Sequence, residues 1–247
     1  MSAGALTSPP ARPRPVTRVR LAPTLTARGV GALGRQLQGV RSAAVVLEGD
    51  ADVFCRGLDL EGPLDDGRSR VAAFTDILEW LDRAPFVVIA LVRGAAQGGG
   101  LGLASVADHV LAGPGASFGL PELLFGLMPA AVHPYVARRI GPSQARRLAL
   151  GGPTLTASEA ARLGLVDQRF EDDGEAALAA LLQRTTRLGP AAVARFRAYS
   201  AGFAPPDRAS AIDGFESCAT SEDARVRLGR WRDGWTPWPL PDEERPS

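Results

Sequence analysis

Seven consecutive apolar residues, Phe86 to Val92, constrain this chain more than any other feature. A strand with one wet face alternates apolar and polar residues. An unbroken run of this kind suits a strand covered on both faces. It is far short of the roughly 20 residues a membrane-spanning helix needs. Gly98-Gly99-Gly100 follows, and Leu101 to Ala107 then reads as a helix. Ala43 to Gly49 and His109 to Ala112 read as further buried strands, and Val16 to Leu21 as an edge strand. Ala27 to Leu37 and Val71 to Leu81 carry apolar residues at helical spacing. Strands thus alternate with helices across Gly-containing turns, which predicts an α/β fold of repeated ββα or βαβ units.

Phe54 to Leu60 reads as a loop, and residues 61–68, with two Gly and a Pro, as a mobile one. Beyond Gly141 the chain reads as helical, with helices over Ser158 to Leu163, Gly174 to Leu188, Ala191 to Ala198 and Ser221 to Trp231. Thr236 to Ser247 holds four prolines and reads as a tail. Met1 to Pro15, rich in Pro, Ala and Arg, reads as a poorly ordered start with no apolar targeting core. A cytoplasmic protein is the expectation.

Charge excludes several functions. The net charge is +1, which argues against a nucleic-acid partner. There is no Lys, so Schiff-base chemistry and a Lys general base are excluded. The two cysteines, Cys55 and Cys218, cannot make a disulfide framework. No Cys/His cluster has zinc-ligand spacing, so no metal is expected.

Three segments carry the chemistry. The first is Val53-Phe54-Cys55-Arg56-Gly57-Leu58-Asp59-Leu60. The second runs from Val92 through Gly98-Gly99-Gly100 to Ala104, with Asp108 just after. The third is Ala116-Ser117-Phe118-Gly119-Leu120-Pro121-Glu122, followed by Gly126. Together, and in this order, they resemble the crotonase (enoyl-CoA hydratase/isomerase) family over roughly residues 16 to 232. Phe215 to Ala224 is similar to that family's C-terminal helices. The resemblance implies a crotonase spiral of ββα units over residues 16–190 and a helical region over 191–235. Residues 1–15 and 236–247 flank these. It also implies a homotrimer or hexamer, no cofactor, and a thioester substrate on CoA or an acyl carrier protein.

The physics agrees with the resemblance. A thioester enolate needs two preorganised N–H donors, and glycine lets a backbone approach its oxygen closely. On the family pattern these donors are the amides of Leu58 and Gly99, with Gly57 and Gly98 shaping their loops. Glu122 takes the position of a catalytic glutamate. Fatty-acid hydratases of the family carry a second glutamate just beyond the Gly run; here Gly102 stands there, and the helix expected over Leu123 to Val136 holds no Asp or Glu. One acid/base remains, which favours a syn dehydration. Within the family, the first and third segments look most like the polyketide β-branching homologues that dehydrate 3-hydroxy-3-methylglutaryl groups on an acyl carrier protein. The alternatives are decarboxylation of a glutaconyl-type thioester, hydration or isomerisation of an enoyl-CoA, and a non-catalytic interaction subunit.

Other residues stay open between two readings. Arg56 either meets a phosphate or the substrate's distal carboxylate, or is a solvated surface residue. His133 either faces the substrate or is a structural residue before Pro134. Asp59 shapes the oxyanion loop. Arg138-Arg139 and Arg146-Arg147 are either a carrier-docking cluster or a solvated face. Trp231, Trp235 and Trp238 pack or cap a subunit interface.

Overall fold

The computed structural model describes residues 14–59, 67–152, 154–200 and 208–233. The segment 1–13, most of the loop 61–68, the tail 236–247, and Trp235 and Trp238 lie outside the described residues.

The chain enters through β1 (Val16–Arg20) and α1 (Ala27–Gln38), then β2 (Ala44–Glu48) and β3 (Val53–Cys55). The remaining strand pairs follow the same alternation: α2 (Gly67–Arg83), β4 (Val87–Val92), β5 (Ala95–Gln97), α3 (Gly99–Val106), β6 (His109–Ala112) and β7 (Ser117–Gly119). β2, β4 and β6 join a five-stranded parallel sheet of order β1-β2-β4-β6-β9, where β9 is Gln168–Arg169. β3, β5 and β7 join a small second sheet, closed by the antiparallel β8 (Leu155–Thr156). Each ββα unit therefore adds one strand to each sheet, and the chain winds as a spiral. Successive turns touch at the corners. A Cβ on Gly94, between β4 and β5, would lie 2.2 Å from the Asp52 carbonyl oxygen of the turn below.

The apolar run has the predicted cause. All six residues of β4 are buried. Val88, Ala90 and Val92 face the main core with Leu101 and Leu103 of α3. Val87, Ile89 and Leu91 face a second core with Leu178 and Leu181 of α7 (Glu175–Thr185). β1 lies at the sheet edge as expected. Arg18 on β1 pairs with Glu48 at 2.6 Å and with Glu175 at 2.7 Å, and Arg93 also reaches Glu175 at 2.8 Å. The Arg18 guanidinium holds Glu48 below the usual carboxylate range, against the opposing effect of its partial burial.

Three expectations need correction. Phe54 and Cys55, read as the start of a loop, belong to the strand Val53–Cys55, because its backbone pairs with β5. Gly67 and Arg68, read as loop, open α2. Leu123 to Val136 is not one helix. A 3-10 turn over Glu122–Phe125 is ended by Gly126 at φ 72°, and α4 (His133–Ile140) begins only after the Pro129 segment.

The C-terminal half adds α5 (Pro142–Gly151), α6 (Ala157–Arg162), α8 (Pro190–Ser200), α9 (Arg208–Ala219) and α10 (Glu222–Arg232). Ala219, Ala224 and Leu228 pack on Phe125 and Leu127, so the last two helices cover the turn that carries Glu122. α8 is held mainly by one side chain. Arg197 donates to the carbonyls of Leu81 (3.1 Å), Asp82 (2.8 Å) and Phe86 (3.0 Å) and to Asp108 at 2.6 Å. Burial pushes the Asp108 carboxyl up, and Arg197 opposes this. Arg197→Ala is expected to cost about 1–3 kcal/mol, since it leaves three part-buried carbonyls without their donor and removes the partner of a partly exposed carboxylate. Urea unfolding measures the loss; a change under about 0.5 kcal/mol would contradict this role.

Candidate active site

The three chemistry-bearing segments meet because β3, β5 and β7 are parallel neighbours. Cys55 pairs with Ala96 and Gln97 with Gly119. The chain therefore leaves all three strands on one edge of the small sheet. There it forms the loop Arg56–Asp59, the turn Gly98–Gly99 into α3, and Leu120-Pro121 into the Glu122 turn.

The first loop is pinned from one side. Arg56 N–H donates to the Pro23 carbonyl (2.7 Å), Leu25 N–H to Gly57 (2.8 Å) and Asp59 N–H to Leu25 (3.0 Å). In extended backbone successive amides point to opposite sides. Gly57 and Asp59 use the Leu25 side, so the Leu58 N–H points the other way. The Gly99 N–H, as the first residue of α3, has no acceptor within its own helix. The two backbones are in contact: a Cβ on Gly57, where φ is +85°, would lie 2.5 Å from Gly99 N. The peptide leading to Leu58 and the Gly99 amide thus lie side by side, and the α3 N-terminus adds its positive pole. Gly98, at φ +53°, donates to the Gly119 carbonyl at 3.0 Å, tying the second segment to the third.

Glu122 completes the group. A Cβ on Gly98 would lie 3.2 Å from its Oε1, so the carboxyl flanks the residue that precedes the Gly99 donor. The residue as a whole is partly exposed, yet Oε2 is withdrawn from solvent and has no hydrogen-bond partner among the described residues. Burial pushes the Glu122 carboxyl up to about 7, against a weaker lowering by its own backbone N–H. A carboxyl poised there can take and return a proton near neutral pH.

This state affects stability with a definite sign. The folded chain holds the Glu122 proton up to about pH 7, the unfolded chain only to about pH 4.5. The favourable burial of the neutral carboxyl is present below pH 4.5 and is lost as pH rises through 7. The difference corresponds to at most about 3 kcal/mol. Glu122→Gln is therefore expected to unfold at the same urea concentration as wild type at pH 4 and at a higher one at pH 8. Equal midpoints at both pH values would contradict the raised carboxyl.

A cavity of about 790 Å³ contains Arg56, Leu58, Asp59, Gly98, Gly99 and Glu122. Gly57 lies beneath it, against Gly99. Arg56 is exposed and is the one basic residue among the described lining. Asp59 uses its backbone: its carbonyl accepts from Arg70 at 2.9 Å. His133 opens α4 and is not among the lining residues; its neighbour Val132 is. Burial lowers the His133 imidazole. Cys55 is buried, and burial raises its thiol to about 11, so it is no nucleophile. Position 102 does not open to water: a Cβ there would meet Val132 Cγ2 at 3.0 Å.

A larger cavity, about 1400 Å³, is lined by Asp108, His109, Tyr135, Arg138, Arg139 and Arg197 instead and holds neither oxyanion loop. Half of the expected basic cluster is used up there. Arg138 pairs with Asp82 at 2.6 Å, and Arg139 pairs with Asp167 and donates to the carbonyls of Leu165 and Ala107. Among the described residues, no group of three or more His, Cys, Asp or Glu could hold a metal ion. None of the described helices is long and apolar enough to cross a membrane.

Residues 21–206 match the family model described as enoyl-CoA hydratase/isomerase. The chain belongs to this family. Its fold is the crotonase fold, and similar solved structures agree. One is a crystal structure of PksH from Bacillus subtilis, with a TM-score of 0.79 and 27% identity, covering 88% of this chain and 93% of that one. Another, Pseudomonas aeruginosa AtuE, is 34% identical with a TM-score of 0.71, covering 90% and 89%. In sequence, the bacillaene synthase dehydratase PksH of Bacillus subtilis (strain 168) is 37% identical over 161 residues, 63% of this chain and 62% of PksH. The 2,3-dehydroadipyl-CoA hydratase of Escherichia coli (strain K12) is 33% identical over 163 residues, 65% and 64%. The matched stretches span just under two thirds of these two relatives.

Sequence reasoning missed Val132, Phe74, Gln97 and Phe215, which also line the cavity. No local pattern marks them. The one available signal was Gly102, a helical position with no side chain of its own.

Proposed function

We propose that this protein is a lyase that dehydrates a 3-hydroxy-3-methylglutaryl thioester on an acyl carrier protein to the 3-methylglutaconyl thioester. The observation that carries the reading is Glu122: a withdrawn carboxyl raised to about 7, beside the contact of the Gly57 and Gly99 backbones. The ionised carboxylate takes the α-proton of the thioester. The carbonyl oxygen gains the charge and is held by the N–H groups of Leu58 and Gly99. The α,β double bond then forms as the β-carbon loses its hydroxyl, and that hydroxide takes the proton from Glu122 to leave as water. Glu122 ends ionised, and one water is lost overall. The same group serves as base and acid because the α-proton and the departing β-hydroxyl lie on one face of the substrate.

Two further features support this reading. Arg56, the one cation among the described lining residues, suits the distal carboxylate of a glutaryl chain. Val132 over Gly102 keeps an apolar wall where a second carboxylate would hold a nucleophilic water. Likeness to a protein named as a dehydratase of bacillaene synthase points the same way. Hydration of an enoyl-CoA is the second reading, favoured by the likeness to 2,3-dehydroadipyl-CoA hydratase.

Intact-protein mass spectrometry of a 3-hydroxy-3-methylglutaryl-loaded carrier protein incubated with the enzyme tests the proposal. Loss of one water is expected. An unchanged mass, with water added to an enoyl-CoA instead, would move the assignment to a hydratase. Loss of carbon dioxide from a 3-methylglutaconyl carrier would move it to a decarboxylase.

A further inference from the structure

Seven arginines and no acidic residue precede Glu48 in the chain. Two of them, Arg28 and Arg35, lie on α1, the helix that begins at the mouth of the catalytic cavity. Thr26, which lines that cavity, is the N-cap of α1, and its hydroxyl accepts from Gly29 N–H at 3.1 Å. Arg28 lies in the first turn of the same helix and is exposed. A cation there opposes the helix dipole, so the fold gains nothing local from it. Arg35 follows seven residues later on the same exposed face. Its Nη1 would lie 3.4 Å from a Cβ on Gly31, so its guanidinium reaches back along α1 toward Arg28 and the mouth. Arg56 stands on the rim itself. Among the described residues, none of these three has an acidic partner within ion-pairing distance, whereas Arg18, Arg93, Arg138, Arg139 and Arg197 all do.

We infer that the exposed face of α1, through Arg28 and Arg35, is the docking surface for an acidic carrier protein that presents its thioester arm to the cavity past Thr26 and Arg56. The inference rests on the carrier-bound substrate proposed above. Of the cluster Arg138-Arg139 and Arg146-Arg147, the first pair is spent on Asp82 and Asp167, and the second, exposed on α5, does not line the cavity. A protein partner is favoured over the phosphates of CoA because Arg28 and Arg35 are both exposed on an open helix face and neither lines the cavity.

The test uses the double variant Arg28→Glu/Arg35→Glu and the same acyl group on a carrier protein and on CoA. For the carrier-bound substrate, kcat/KM is expected to fall at least tenfold through KM, with kcat within twofold. For the CoA thioester both constants are expected to stay within twofold. The wild-type value with carrier protein should fall as salt rises from 50 to 300 mM, and that of the variant should not. An unchanged KM for the carrier-bound substrate would overturn the surface. An equal loss with the CoA thioester would also overturn it, by assigning the arginines to phosphate binding. If wild type turns over neither substrate, the proposed reaction fails, and direct titration with the phosphopantetheine-bearing carrier protein decides the surface alone. Salt-sensitive binding lost in the double variant supports it; binding unaffected by the charge reversal overturns it.

Discussion

Glu122→Gln is expected to lower kcat by about 10²–10⁴-fold, the range of a positioned acid/base, with KM within a few-fold of wild type. Glutamine keeps the shape and the hydrogen-bonding capacity of the neutral carboxyl but cannot accept the α-proton. The pH profile separates this from general damage. Wild type needs Glu122 ionised, so its rate should rise about tenfold per pH unit below 7 and level off above. The residual rate of the variant should lack that limb. Burial of the carboxyl, not a neighbouring charge, sets the position of the limb. Added salt should therefore leave it nearly unmoved.

Gly57→Ala is expected to cost about 10²–10³-fold in kcat, the loss associated with one disabled oxyanion donor. The new Cβ would fall 2.5 Å from Gly99 N, inside any real contact distance, and φ +85° is strained for alanine. The loop must shift, and both amides are at the point of collision: Leu58 follows position 57 directly, and Gly99 is the atom struck. Strain of about 1–2 kcal/mol should lower Tm by only a few degrees, so the variant can be assayed folded. A folded variant with wild-type kcat would remove Leu58 and Gly99 from the mechanism. The two variants act on different steps of one event. Their combined loss should fall short of the product of the single losses.

The parts of the fold that local physics dictates were legible in the sequence. β2 and β4 show as continuous apolar runs because each is covered on both faces, and α1 and α2 show through their period. β3, β5 and β7 have three residues each, too few to display alternation, and they exist because a neighbouring strand pairs with them. The site was legible where it depends on backbone. Gly57, Leu58, Gly98, Gly99 and Glu122 come together as the motifs imply, since three parallel strands deliver their loops to one edge. His133, left open between a substrate contact and a structural residue, opens α4 outside the cavity lining. Val132 against Gly102 joins positions thirty residues apart, and Arg138 and Arg139 find Asp82 and Asp167 only in three dimensions.

Proton exchange tests the central claim most directly. A 3-methylglutaryl thioester has the α-protons but no hydroxyl to lose. Incubated in D₂O with wild type, it is expected to take up deuterium at the α-carbon, seen by mass spectrometry, and with Glu122→Gln to take up none above background. Exchange that proceeds equally in the variant would show that another group moves the α-proton and would contradict the assignment of Glu122.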